Sequence, residues 1–229
     1  MNLFSTIIGL CLALGGPVLV ASIGYKFLDD SQSIAGKVLQ QLFLVALLVG
    51  VLAVVLFGER QPLSSIGLHL LRWQSLFWGL IFAVFLVFIY SPLLIWGMKK
   101  LNFGSFETGL TKLTSLPIYY LVFAIMVGGI VEEVLYRGYA TERLSSLTGS
   151  YWIGSILALI AFGLAHIPFW GWQAASTTIL SGAILTIFYL STGELLSAIV
   201  AHVITDSVGI IIPALSRLRK LESQKNPTT

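Results

Sequence analysis

Two adjacent glutamates, Glu132 and Glu133, close an apolar run at residues 121–131, and Arg137 follows four positions on. Two further apolar segments each carry a histidine, in Phe162-Gly-Leu-Ala-His166 and His202-Val-Ile-Thr-Asp206. Charge at the centre of a membrane helix costs about 2.5–3.5 kcal/mol per Asp, Lys or Arg on insertion scales. A chain that sets carboxylates, an arginine and two histidines in such segments is building a polar site. Residues four apart share a helix face, so Glu133 and Arg137 can pair as a structural ion pair. Glu132 is turned about 100° away and is left free for chemistry. Phe162 with His166, and His202 with Asp206, share faces by the same spacing. Amide hydrolysis needs a base for water and donors for the oxyanion, and Glu132, His166, His202 and Asp206 are the candidates. Two imidazoles and two carboxylates are also a plausible set for one zinc ion. At position 206 an ionised Asp suits a metal, or holds His202 in one tautomer.

These residues need elements to carry them to one place. The chain has 229 residues, 57% hydrophobic and 10% charged, with mean hydropathy +0.93. Soluble domains carry roughly 25% charged residues, so the composition marks an integral membrane protein. A span takes about 20 apolar residues. Seven segments qualify: 3–25, 39–57, 75–98, one starting near Leu116, 151–167, 172–190 and 195–215. The expectation is an all-α polytopic bundle of about seven transmembrane helices. Residues 1–215 form a single domain with its motif core at about 117–210, and the polar tail at 216–229 is expected to be disordered. The loop at 58–73 is expected to hold a short interfacial helix. His69 there reads as solvated, and Tyr136, one turn from Glu132, as a packing residue. Gly128 and Gly129 read as close helix packing.

Depth tests whether the candidates can meet. If the fourth helix continues to about Arg143, a rise of roughly 1.5 Å per residue puts Glu132 about 16 Å below that surface. The same count puts His166 about 22 Å deep, His202 about 12 Å and Asp206 about 18 Å. All four then lie near the middle of a core roughly 30 Å thick.

With seven spans, Lys26, Lys37, Lys99, Lys100, Lys112, Arg217, Arg219, Lys220 and Lys225 share a side with the C-terminus. Arg60, Arg72, Arg137 and Arg143 fall on the other, which favours a cytoplasmic C-terminus. The positive charge sits in loops and tail, with no basic stripe interleaved with aromatics, so no nucleic-acid partner is expected. Cys11 is the only cysteine, which leaves no internal disulfide and no cysteine zinc cluster. Short loops and the lack of a targeting segment point to a bacterial inner membrane.

The three motifs resemble those of the CAAX-protease and bacteriocin-processing family (CPBP, or Abi) of intramembrane proteases. That family reads Glu-Glu-x-x-x-Arg, then Phe-x-x-x-His, then His-x-x-x-Asn or Asp. The resemblance covers about residues 117–210. It implies hydrolysis of a peptide bond in a membrane-associated protein or peptide, with the lipid bilayer as the setting. It implies that Glu132 and His166 activate water, and that His202 and Asp206 stabilise the oxyanion or help hold a metal. Glu133 and Arg137 would then be structural. Family members are linked to prenyl-protein cleavage, peptide maturation and bacteriocin immunity, and have been described as metalloproteases. Two alternatives stand beside it: a proton-coupled transporter, since carboxylates and histidines also form relays, and a non-catalytic peptide-binding immunity protein.

Overall fold

Apolar stretches long enough to span hydrocarbon must close their own backbone hydrogen bonds, and helices do so within one segment. The computed structural model describes residues 2–28, 33–102 and 105–225, and these contain helices and no strand. Seven helical stretches are long and apolar enough to cross a membrane: Leu3–Ser22, Ile34–Gly58, Trp73–Lys100, Ile118–Thr148, Tyr151–Pro168, Gly171–Thr192 and Leu195–Gln224. They are called the first to seventh spans below. Phe4, Phe57, Phe88 and Ile187 project outward from them, as side chains facing lipid should. The protein is an integral, multi-pass membrane protein.

The fourth span is the most buried, with 44% of its apolar window inside the bundle. It packs against the first, second and seventh spans and the helical pair made by the fifth and sixth. The third span lies outside this ring, against the seventh, with Phe82 stacked on Phe188 of the sixth at 3.9 Å. Small residues permit the close approaches: a Cβ on Gly129 would come within 2.6 Å of Val203 on the seventh span. The close packing expected at Gly129 is therefore present.

Local chemistry sets several ends. The Ser33 hydroxyl accepts from the Gly36 N–H at 3.3 Å and starts the second span. Gly149, at φ 70°, ends the fourth span in the left-handed region that glycine enters without strain. Gly171, at φ 74° and ψ 173°, breaks the path between the fifth and sixth spans three residues after Pro168. The fourth span runs unbroken past Arg137 to Thr148, through a π-helical segment at Glu133–Ala140. That continuation is the condition on which the depth match rested. Of the other π segments, at Cys11–Gly15, Val54–Gly58, Leu86–Tyr90 and Ser207–Ile211, the last begins directly after Asp206. Both carboxylate-bearing motifs therefore border π segments, which recur at functional sites.

Two expectations change. The loop at 58–73 holds only a 3₁₀ turn, Leu63–Ile66, and Ile66 is fully buried rather than lying in the interface. Its neighbours Leu70 and Leu71 are exposed. The tail is not disordered as far as Lys225, because helix Ile212–Lys225 continues through it. Leu, Arg, Lys, Glu and Gln there are all good helix formers, and the helix extends one already nucleated in the membrane.

Candidate active site

The polar site is built around two carboxylates that point different ways. Glu133 is fully buried, and its Oε1 accepts from Arg137 Nη1 at 2.9 Å. The same oxygen accepts from His202 Nδ1 at 2.7 Å. Arg137 donates its Nη2 to the Gly182 carbonyl at 3.3 Å, and its guanidinium lies 4.2 Å from the centre of the Phe162 ring. The arginine thus ties the fourth, fifth and sixth spans together while Glu133 fixes the seventh. The expected Glu133–Arg137 pair is present, and Phe162 is its floor as well as a neighbour of the His166 ring at 4.6 Å.

Glu132 faces the opposite set. Its Oε1 is 3.8 Å from His166 Nε2 and its Oε2 is 4.0 Å from His202 Nε2. His202 Nε2 is 3.4 Å from Asp206 Oδ2. His166 Nδ1 lies 2.8 Å from the Phe162 carbonyl, which can only accept, so Nδ1 carries the proton there. In the neutral ring Nε2 then keeps its lone pair and turns it toward Glu132. All four candidates, Glu132, His166, His202 and Asp206, are therefore brought together from three spans.

A cavity of about 310 Å³ gives access. Glu132, His166, Tyr136 and Asp206 line one part of it. Its apolar walls include Leu44, Leu121, Ile125 and Ile210, and Lys37, Gln40 and Leu113 belong to its lining near the chain ends on the C-terminal side. The Glu132 carboxylate thus shares a cavity with Lys37 and Gln40 at the start of the second span.

Gly182 is the position where this arrangement leaves no room. A Cβ there would come within 2.9 Å of Arg137 Nη2 and of the Phe162 ring. Gly182→Ala is expected to destabilise the protein by about 1–3 kcal/mol, the usual range for overpacking. Thermal melting in detergent checks this; a melting temperature unchanged from wild type would refute it.

Asp206 stands 3.4 Å from His202 Nε2, and Glu133, which sequence reasoning assigned only to Arg137, also holds that ring through Nδ1 at 2.7 Å. Helical spacing shows i, i+4 partners on one helix and says nothing about a carboxylate on another. A second polar cluster was missed altogether. Glu59 is buried and accepts from Thr6 Oγ1 at 2.8 Å, Tyr139 Oη at 2.8 Å and Arg143 Nε at 2.8 Å. Arg143 also donates to Ser65, by Nη1 to its carbonyl at 3.0 Å and by Nη2 to its hydroxyl at 2.9 Å. One turn of the fourth span is thereby locked to the 59–66 loop. Arg143 is not a loop cation, as the charge asymmetry had counted it. Its removal leaves Arg60 and Arg72 as the exposed basic residues of that side. The only available signal was an acidic residue directly after an apolar span.

Zinc ligands lie about 2.0–2.2 Å from the ion, so tetrahedral donors stand roughly 3.3 Å apart. Glu132 is farther than that from both histidines, and among the described residues no group of three His, Cys, Asp or Glu is arranged to hold a metal ion. His202 and Asp206, 3.4 Å apart, meet that spacing, but Glu132 completes it with neither histidine, so the four as they stand do not make a closed set for the ion. The chemistry proposed for them runs through none.

A multi-pass helical bundle with a carboxylate–histidine site at a cavity wall among its spans defines the class. Residues 114–208 match the family model described as type II CAAX prenyl endopeptidase Rce1-like. This is the CAAX-protease family that the three motifs resemble, a family of intramembrane endopeptidases, and the matched segment contains all of Glu132, Glu133, Arg137, His166, His202 and Asp206. No curated protein and no solved structure matches the chain.

Proposed function

We propose that this protein is an intramembrane endopeptidase that hydrolyses a peptide bond of a membrane-associated protein or peptide, with Glu132 as the base. The observation that carries the reading is the Glu132 carboxylate, turned away from the Glu133–Arg137 pair and standing between the Nε2 atoms of His166 and His202 at a cavity wall. A water about 2.8 Å from both Glu132 Oε1 and His166 Nε2 would bridge their 3.8 Å gap with ordinary hydrogen-bond lengths.

The water oxygen attacks the carbonyl carbon while Glu132 takes one of its protons, and the carbonyl π pair moves onto oxygen. His202, as an imidazolium anchored through Nδ1 to Glu133, offers its Nε2–H to that oxyanion. Collapse re-forms the carbonyl, the carbon–nitrogen pair leaves with the amine, and the amine takes the proton that Glu132 held. The products are a carboxylic acid and an amine. Asp206, 3.4 Å from His202 Nε2, orients that nitrogen between turnovers. The membrane is proposed to be a bacterial inner membrane with the basic face, and with it the Lys37 side of the cavity, cytoplasmic.

Reconstituted wild-type protein is to be given a library of lipid-anchored peptides, with products read by mass spectrometry in ¹⁸O-labelled water. Discrete fragments carrying ¹⁸O at the new carboxyl are expected. Folded protein that releases none would refute the proposal. A second measurement concerns the ion. After dialysis against chelator, with bound metal shown absent by elemental analysis, activity should stay within about twofold, as a carboxylate–histidine base requires. Loss of activity that zinc restores would overturn the metal-free route.

A further inference from the structure

We propose that Tyr136 is a second hydrogen-bond donor to the oxyanion, acting from the cavity wall beside Glu132; this rests on the peptidase reading above. Tyr136 lies one turn beyond Glu132 in the π segment, is almost fully buried, and lines the same cavity as Glu132 and His166. Its ring meets the Phe162 ring edge-on, 5.1 Å between centres. That contact explains an aromatic residue here, but it asks nothing of the hydroxyl. A phenylalanine would fill the same space.

The hydroxyl has no hydrogen-bond partner among the described residues. Buried hydroxyls are nearly always partnered, because leaving one unmade sacrifices its solvation without return. One that stands unpaired in the wall of a substrate-sized cavity, a turn from the base, is satisfied when a substrate oxygen arrives. The phenol donates without losing its proton, so it stabilises developing negative charge and takes no part in proton transfer. Such a donor acts most strongly where water is excluded. It would sit beside the carbonyl that His202 approaches from the seventh span, giving the oxyanion donors from two elements. The rival acceptor within the protein is Glu133 Oε2, three residues earlier, which also lacks a partner among the described residues.

Tyr136→Phe removes the oxygen and keeps the ring. In the lipid-anchored peptide assay, kcat should fall by about 10²-fold with KM within about twofold, as for loss of one oxyanion donor. The inhibition constant of a phosphonamidate peptide, which mimics the tetrahedral intermediate, should rise by a similar factor while binding of the product peptide is unchanged. The melting temperature should not fall. A variant with wild-type kcat overturns the donor role alone. A lowered melting temperature with wild-type kcat also overturns it, and assigns the hydroxyl to Glu133. Folded wild-type protein that cleaves nothing overturns the peptidase reading and the donor role with it, a result distinct from both.

Discussion

Glu132→Ala should reduce cleavage of a lipid-anchored peptide to background, a loss of about 10³-fold or more, while the protein stays folded. General bases contribute typically 10²–10⁴-fold, and the adjacent carboxylate of Glu133 is not free to substitute. Glu133 is one residue away, yet its Oε1 is held by both Arg137 and His202. Glu132, by contrast, makes no hydrogen bond with another described side chain that its removal would break, its nearest partners being at 3.8 and 4.0 Å. Loss of activity should therefore come without loss of melting temperature. Rates are to be measured in proteoliposomes and folding by thermal melting of the same preparation. An alanine variant that cleaves at the wild-type rate would remove Glu132 from the chemistry; one that melts early would make it structural.

Arg137→Ala should do the opposite and strike the fold first. Removing one partner of a buried ion pair typically costs about 3–5 kcal/mol, because the other charge is stranded. Here Glu133 would keep only His202, the Gly182 carbonyl only the Thr186 hydroxyl, and Phe162 would lose the cation above its ring. For a protein of this size the loss corresponds to a fall in melting temperature of about 10 °C. Arg137→Lys should recover only part of it, since an ammonium cannot span Glu133 and Gly182 and also lie flat on Phe162. A melting temperature within a degree or two of wild type for the alanine variant would show that the pair does not carry this load.

The contrast between these adjacent glutamates was legible before any coordinates. A 100° turn separates consecutive helical residues, so Glu133 could pair with Arg137 only if Glu132 looked elsewhere. The seven spans were legible for a similar reason: hydrocarbon thickness fixes how many apolar residues a crossing needs. Depth counting even brought Glu132, His166, His202 and Asp206 near the middle of the hydrocarbon core, because rise per residue is nearly constant along a helix. What spacing could not supply was rotation of one helix about its axis relative to another. That left the Glu133–His202 bond invisible. The Glu59–Arg143 cluster was hidden by the same limit and by location, since both residues lie near span ends, where charges are expected to meet water. The helical extension to Lys225 was missed because polarity was taken for disorder.

The two polar clusters on the fourth span also differ in when they can form. Glu59, the partner of Arg143, precedes the fourth span in the chain, so that cluster can close as the span leaves the ribosome. The Glu133–Arg137 pair is internal to the span and needs nothing more. His202 comes roughly 50 residues after the span ends, several seconds later at about 5–20 residues per second. Through that interval the nascent protein has an anchored fourth span and a neutralised Glu133 but no completed hydrolytic centre. Arrival of the last span supplies His202 and Asp206 together, so on the proposed mechanism the site is complete only once the final span is in place.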